Sequence, residues 1–147
     1  MMKPNLNLRI LVRGSNDVGS AVAHRLFESG YAVVIHDIPL PSATRRKMAY
    51  TDAVFEGHAM LEGLDAHLID EAFLLEGLLR AHETIPITTM GMDELAAALQ
   101  PAVLVDARMR KRAQPEDQRG LAVLCIGLGP NFVAGENVHL AIETGRG

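Results

Sequence analysis

Two glycines and an acidic residue near the amino terminus have the spacing of a phosphate-binding turn. Gly14 follows an apolar segment, and Gly19 lies within the first turn of a helical pattern. Free N–H groups at such a helix N-terminus, together with the positive end of the helix dipole, favour phosphate. Asp37 follows the next apolar run, near the spacing of roughly 20 residues at which an acidic side chain binds a ribose hydroxyl. The chemistry predicted for this stretch is therefore the binding of a nucleotide.

Asn16 occupies the position of the middle glycine in the G-x-G-x-x-G pattern. Asparagine tolerates the left-handed backbone conformation better than most residues, and its amide can donate to a phosphate oxygen. We therefore predict a phosphate site that also includes Ser15 and Asp17. The structural alternative is that Gly14 and Gly19 permit only a tight turn and close packing of the helix on the strand.

Two arginines follow the second apolar run and bear on the type of nucleotide. In such folds an arginine in this region can accommodate the 2′-phosphate of NADP, as Arg45 or Arg46 would. Asp37 instead favours the unphosphorylated ribose of NAD, so the choice between NAD and NADP stays open. A solvated helix face explains both arginines equally well.

A basic segment follows a later apolar run that ends at Asp106. Its members are Arg108, Arg110, Lys111 and Arg112. Open α/β sheets bind ligands at the carboxyl ends of their strands, and arginine suits phosphate or carboxylate recognition. We therefore expect Asp106 and the basic residues to face the same crevice as the first turn. A solvated loop is the alternative.

A second glycine-rich turn follows the apolar run that contains Cys125. Gly127 and Gly129 can allow close approach of a ligand to the backbone. No helical stretch of useful length follows them, so this turn is a wall of the crevice or an ordinary connection. Cys125 itself lies among apolar residues and is interpreted as a core residue rather than a nucleophile.

Composition excludes several classes of site and partner. The single cysteine excludes a disulfide framework and any multi-cysteine metal site, and the six histidines lack metal-ligand spacing. No G-x-S-x-G nucleophile elbow is present. A net charge of −4 gives no broad attraction to nucleic acid or to an anionic membrane. No apolar run approaches the roughly 20 residues of a membrane span, and no leader is evident, so we expect a cytoplasmic protein.

Buried strands alternate with helices along the 147 residues. We expect strands at 8–12, 31–36, 85–88, 102–106, 122–126 and 137–144, and helices at 17–29, 42–50, 70–82 and 94–100. Ser15 or Asn16 can cap the first helix, Gly30 can end it, and Asp93 can cap the last. This pattern predicts one Rossmann-like α/β domain over residues 1–147. It has a mainly parallel sheet, helices on both faces and a small β-hairpin insertion at 58–69.

The proportion of apolar residues predicts the state of assembly. Mean hydropathy is +0.12, while aromatic residues make up only 4% of the chain. Such a chain is expected to leave apolar surface uncovered, and two-fold dimers are the commonest assembly. We therefore expect a homodimer.

A family resemblance is carried by three segments, "LVRGSNDVGSAVAHRLFESGYAVVIHDIPLPSATRRKMAYTDAVFEG", "VLVDARMRKR" and "IGLGPNFVAGENVHLAIETGRG". From about Arg9 to Gly147 the chain resembles the YqeB-type accessory proteins, which are linked to the maturation of selenium-dependent molybdenum hydroxylases. Members of that family commonly have glycine where this chain has Asn16, and often glutamate near Asp37. They are usually longer and continue past the "ETGRG" position.

The resemblance implies a Rossmann-like domain and a role beside enzymes of the xanthine dehydrogenase type. There it would handle the molybdenum cofactor or its precursor. The positions that it favours for binding are the glycines, arginines and acidic residues already named as the candidate site.

Two functions from different classes follow. The first is a non-enzymatic accessory protein that holds a nucleotide or a pterin phosphate, such as a molybdopterin nucleotide, with a molybdenum hydroxylase as its partner. The second is a small NAD(P)-dependent oxidoreductase, against which stands the absence of a Tyr-x-x-x-Lys pair. A structural subunit with a vestigial site is a third interpretation.

Overall fold

The computed structural model describes residues 5–41, 48–110 and 113–143. Its elements follow one another along the chain as β1 (Asn5–Arg13), α1 (Asp17–Glu28), β2 (Tyr31–His36), α2 (Asp52–Glu56), β3 (His58–Leu61), β4 (Leu64–Ile69), a 3₁₀ turn (Ala72–Leu74), α3 (Leu75–Ala81), β5 (Ile85–Thr88), α4 (Met92–Leu99), β6 (Val103–Asp106), β7 (Leu124–Leu128) and β8 (Leu140–Ile142).

The strands of the described residues form one sheet in the order β3-β4-β5-β2-β1-β6-β7-β8. Neighbouring strands are parallel except β3 and β4, which form an antiparallel hairpin at one edge. From β1 the chain first builds the sheet toward β2 and later places β6 on the other side. The strand order therefore reverses between β1 and β6. The predictions of a Rossmann-like α/β fold and of a hairpin at 58–69 are confirmed.

Two apolar clusters cover the two faces of the sheet, because successive residues of a strand point to opposite sides. Val12 of β1 packs in the cluster that includes Ala23 of α1. Leu11 packs in the other cluster, with Leu79 of α3 and Leu95 of α4. The helices thus lie on both faces, as the continuous apolar strands predict.

Several element boundaries differ from those expected. Residues 70–82 hold a 3₁₀ turn followed by the short helix α3, and the last strand is confined to Leu140–Ile142. Asp93 is not the cap of α4, because the helix begins at Met92 and Gly91 occupies the capping position. The left-handed Gly30 after α1 is confirmed, with φ of 92°.

The short helix expected at 42–50 falls mostly on residues outside the described ranges. Residues 48–50, which are described, form a bend and a turn, and α2 begins only at Asp52. Within the described ranges, no helix has both the length and the apolar character needed to cross a membrane.

Candidate functional site

A pocket of about 260 Å³ opens where β1, β2 and β6 end side by side. It is lined by Gly14, Asn16, Asp37, Ile38, Pro41, Arg108 and Arg110. Open α/β sheets bind their ligands at the carboxyl ends of the strands, where the strand order reverses. The structure therefore brings the first turn, Asp37 and part of the basic segment together, as the sequence predicts.

Both glycines of the first turn are required by the turn itself. Gly14 has a φ of +107°, and a Cβ there would lie 3.0 Å from the carbonyl oxygen of Ala107. A Cβ on Gly19 would lie 1.9 Å from the carbonyl oxygen of Gly14. Real side chains do not approach backbone so closely, so the structural alternative accounts for both glycines. Their presence alone is not an argument for a ligand.

Asn16 joins the first turn to the end of β6. Its Nδ2 donates to the carbonyl of Ala107 over 2.9 Å, and its Oδ1 accepts from the N–H of Gly19 over 2.9 Å. Of the two residues predicted as possible caps of α1, Ser15 and Asn16, it is Asn16 that occupies the capping position. Two expectations are corrected: φ is −68°, so no left-handed conformation is needed, and the amide expected to face a phosphate is engaged within the protein.

Asp37 is half-buried at the end of β2 and holds the same turn from the other side. Its Oδ2 accepts from the N–H and the hydroxyl of Ser15, and its Oδ1 accepts from the N–H of Ile38 over 2.8 Å. Each carboxylate oxygen has two acceptor directions. Asp37 therefore shapes the turn and still offers acceptor capacity to a ligand hydroxyl or N–H.

Asp106 is fully buried at the end of β6 and is surrounded by donors. It accepts from the backbone N–H and the guanidinium of Arg108, and from Nε2 of Gln118 over 2.7 Å. Burial acts to raise the pKa of this carboxyl, but the hydrogen bonds and charge of Arg108 hold it below its usual value. Much of the positive charge of Arg108 is thereby neutralised inside the protein.

Glu116 carries the second carboxylate of this cluster. Arg13 donates to it over 2.6 Å and Arg108 over 3.1 Å, while Arg110 lies at 3.5 Å. Partial burial acts to raise its pKa, but a backbone hydrogen bond and the two nearer arginines lower it to about 2. Glu116 is therefore ionised at neutral pH and shared among the three guanidinium groups.

Sequence reasoning missed Arg13, Glu116 and Gln118. Arg13 ends β1 directly beside Asp106 of β6 in the parallel register, and it is only 8% exposed. The sequence signal that could have identified Arg13 is its position, since it is a charged residue at the end of an apolar strand, directly before Gly14. Glu116 and Gln118 lie in a loop without a motif, and only the folded chain shows that they contact β1 and β6.

His36 ends β2 next to the same cluster. Its Nε2 donates to the carbonyl of Met90 over 2.8 Å. Burial is the main cause that lowers its pKa, and the nearby charges of Arg13 and Arg108 act in the same direction. His36 is therefore expected to be neutral at physiological pH.

The second glycine turn is occupied by side chains of the protein. A Cβ on Gly127 would overlap the ring of Phe132, and one on Gly129 would lie 2.6 Å from Sδ of Met109. Neither glycine lines the 260 Å³ pocket. Of the two interpretations of this turn, these contacts favour the ordinary connection.

The remaining candidate residues include one described position, Asp17, and four that are not described. Asp17 lines a separate cavity of about 510 Å³ between α1 and the β3–β4 hairpin. Arg45, Arg46, Lys111 and Arg112 lie outside the described residues, and their roles stay predictions. Cys125 is fully buried, which agrees with its interpretation as a core residue, and its thiol lies 3.0 Å from the carbonyl oxygen of Gln118. Among the described residues, no group of three or more potential ligands is placed to hold a metal.

Comparison with known proteins gives one informative relative. No family model matches the chain, and no solved structure matches it. The chain is 33% identical over 151 aligned residues to a protein of Escherichia coli (strain K12) whose name is "Uncharacterized protein YqeB". The alignment covers 100% of this chain and 27% of the relative, so the chain spans about a quarter of that protein's length. Over its whole length, the chain is therefore similar to a part of YqeB, which supports the YqeB-type resemblance.

Proposed function

We propose that this domain is the ligand-holding part of an accessory protein and binds a phosphate-bearing small molecule in the 260 Å³ pocket. One observation carries the proposal. The Gly14 turn, Asp37 and two arginines that follow β6 line the same pocket, at the reversal of strand order. That position is where open α/β sheets bind ligands, and arginine is the side chain best suited to phosphate.

Of the two arginines that line the pocket, Arg110 is the more available to a ligand. The guanidinium of Arg108 is held by Asp106 and Glu116, whereas Arg110 has one contact of 3.5 Å with Glu116 and its side chain is 38% exposed. A phosphate would therefore lie toward Arg110. The like charge of Asp37 disfavours phosphate at the other end, so Asp37 would accept from a hydroxyl or a ring N–H.

The size of the pocket favours a small ligand. As bounded by the described residues, about 260 Å³ is slightly below the roughly 300–1,000 Å³ of pockets for drug-sized molecules. A phosphate with part of a nucleoside or pterin fits that volume better than a whole dinucleotide does. The proposal therefore favours a mononucleotide or pterin phosphate over NAD or NADP.

The biological setting of the proposal comes from the YqeB-type resemblance. On that resemblance, we propose that the domain takes part in the maturation of a molybdenum hydroxylase of the xanthine dehydrogenase type, in the cytoplasm. The bound molecule would then be the molybdenum cofactor's pterin phosphate, its nucleotide form or a nucleotide precursor. The small oxidoreductase is the competing function, and it requires that NAD(P) be the ligand.

We also propose a homodimer. Leu140 and Ile142 of the edge strand β8 are each 49% exposed, and Val123, which directly precedes the neighbouring strand β7, is 83% exposed. Apolar surface of this kind is a common feature of subunit contacts. Light scattering at micromolar concentration tests this proposal, and a monomer would contradict it.

Native mass spectrometry of freshly purified protein tests the ligand directly. The proposed function predicts an added mass equal to a mononucleotide or a pterin phosphate, which is lost in Arg110→Gln. A retained NAD or NADP would favour the oxidoreductase instead. An unliganded chain that also fails to take up cytidine monophosphate, pterin phosphate, NAD or NADP would contradict both functions.

A further inference from the structure

Three arginine side chains meet on one carboxylate at the edge of the proposed pocket. Oε1 of Glu116 lies 2.6 Å from Arg13 and 3.1 Å from Arg108, and Oε2 lies 3.5 Å from Arg110. Convergent guanidinium groups are the usual way in which proteins bind phosphate, because several charge-assisted hydrogen bonds act on one anion. Glu116 thus occupies a position that is suited to an oxyanion.

The arginine beneath this carboxylate is fixed, whereas the carboxylate is accessible. Arg13 is more than nine-tenths buried at the end of β1, and its NH1 also donates to Gln118 over 2.7 Å. Glu116 comes from the loop between β6 and β7, and its side chain is 51% exposed. Displacement of Glu116 into solvent would therefore expose little new apolar surface.

One buried donor of the cluster is left unsatisfied. Among the described residues, Nε of Arg13 is buried without a hydrogen-bond partner. Leaving such a donor unpaired is costly. The two oxygens of Glu116 already serve three guanidinium groups, whereas a phosphate monoester offers three terminal oxygens. A phosphate monoester in this place would therefore bring one more terminal oxygen to the cluster than Glu116 does.

The charges of the cluster also favour an added anion. The three guanidinium groups face two carboxylates, those of Asp106 and Glu116. Asp106 is fully buried and is held by Arg108 and Gln118, so it stays in place. When Glu116 leaves, two positive charges are uncompensated, which matches the charge of a phosphate monoester near neutral pH.

We propose that Glu116 occupies the phosphate subsite of the ligand pocket, and that the phosphate of the ligand replaces it on Arg13, Arg108 and Arg110. The inference rests on the proposed function, since Arg108 and Arg110 also line the pocket. Glu116 then acts as an internal competitor, which keeps the arginines paired when the ligand is absent and weakens the binding of other anions.

Calorimetric titration of Glu116→Gln with inorganic phosphate and with cytidine monophosphate tests the inference. Glutamine has nearly the same shape as glutamate but no charge. We therefore expect both probes to bind to Glu116→Gln at least about tenfold more tightly than they bind to the wild type. Glu83→Gln is the matched control. Glu83 is exposed and lies just before β5, at the amino ends of the parallel strands, whereas the pocket lies at their carboxyl ends, so its replacement should leave both affinities unchanged.

The outcomes separate the inference from the proposed function. If the wild type and Glu116→Gln bind cytidine monophosphate equally well, the inference is wrong and the proposed function stands. If neither binds either probe below millimolar concentration, both are wrong. Binding by Glu116→Gln alone would show that the ligand does not displace Glu116 from the unaltered protein, which contradicts both.

A second measurement uses the unaltered protein and does not depend on the folding of a variant. Hydrogen exchange of the amides at 113–118 should increase when the wild type is saturated with phosphate, because the ligand releases Glu116 from the arginines. Slower or unchanged exchange in that segment would contradict displacement. Glu116→Asp, which retracts the carboxylate by one methylene group, should bind phosphate more tightly than the wild type, and unchanged affinity would again count against the inference.

Discussion

Asn16 donates from Nδ2 to the carbonyl of Ala107 over 2.9 Å, which joins the first turn to the residue after β6. The same side chain accepts from the N–H of Gly19 and caps α1. A glycine at position 16 could make neither bond. The asparagine that interrupts the expected glycine pattern thus has a structural role of its own, and it leaves the neighbouring pocket open.

Replacing Asn16 should lower the stability of the fold by an amount that depends on how many of its two hydrogen bonds are lost. Asn16→Ala loses both the cap and the bond to Ala107, and we expect the free energy of unfolding to fall by about 1–3 kcal/mol. Asn16→Ser keeps a capping oxygen but cannot reach Ala107, and it should cost roughly half as much. Urea unfolding measures both. Equal losses in the two variants would show that the capping bond to the N–H of Gly19 contributes nothing.

Glycine at position 19 is expected to be irreplaceable. A Cβ there would lie 1.9 Å from the carbonyl oxygen of Gly14, so Gly19→Ala must move α1 or the turn. We expect a loss of about 3 kcal/mol or more, as for other forced overpacking. Gly77→Ala in α3 is the control, because a Cβ there meets nothing within 4 Å. Gly77→Ala should raise the free energy of unfolding by up to about 1 kcal/mol. Thermal unfolding of both variants measures the two effects.

Asp37 should stabilise the protein even without a nucleotide. Asp37→Ala leaves the N–H of Ser15 without its acceptor and leaves the hydroxyl of Ser15 with only the hydroxyl of Thr51, so we expect a loss of about 1.5–3 kcal/mol in urea unfolding. Asp70→Ala, at an exposed position after β4, is the control and should change stability little. If the two variants unfold alike, the contacts between Asp37 and Ser15 do not hold the turn.

Acid should weaken the arginine cluster through Glu116. Its pKa is lowered from 4.5 to about 2 in the folded protein, so the unfolded chain takes up the proton first as pH falls. The stabilisation is complete above pH 4.5 and is lost between pH 4.5 and about pH 2. Because the side chain is half-exposed, we expect it to amount to only about 1 kcal/mol. Stability measured against pH should fall less steeply in Glu116→Gln, and parallel curves would contradict the assignment.

The sheet could be predicted from sequence because its signals are local. The continuous apolar run in β2 is typical of a strand covered on both faces, and Gly30 marks the helix end before it. The cap of α1 could be narrowed to Ser15 or Asn16, because both residue types favour the start of a helix. The wrong cap at α4 has a local cause as well, because Gly91 allows the helix to begin two residues before Glu94.

The site could be located from sequence, but the partners of its residues could not. Strand ends predict where Asp37 and Arg108 lie, whereas the choice of Ser15 as the partner of Asp37 depends on the packing of β1 on β2. The contact between Arg13 and Glu116 joins residues more than 100 positions apart, through a loop without a motif. Such contacts depend on tertiary structure, and no local pattern encodes them.

The central claim is that the pocket beside the first turn binds a phosphate-bearing ligand through Arg110, and calorimetric titration with cytidine monophosphate tests it most directly. We expect the wild type to bind in the micromolar range and Arg110→Gln to bind at least tenfold more weakly, because one charge-assisted contact is lost. Arg80→Gln, at an exposed position in the last turn of α3 and outside the lining of the pocket, should bind as the wild type does. No binding by the wild type below millimolar concentration, or equal affinities for the wild type and Arg110→Gln, would contradict the claim.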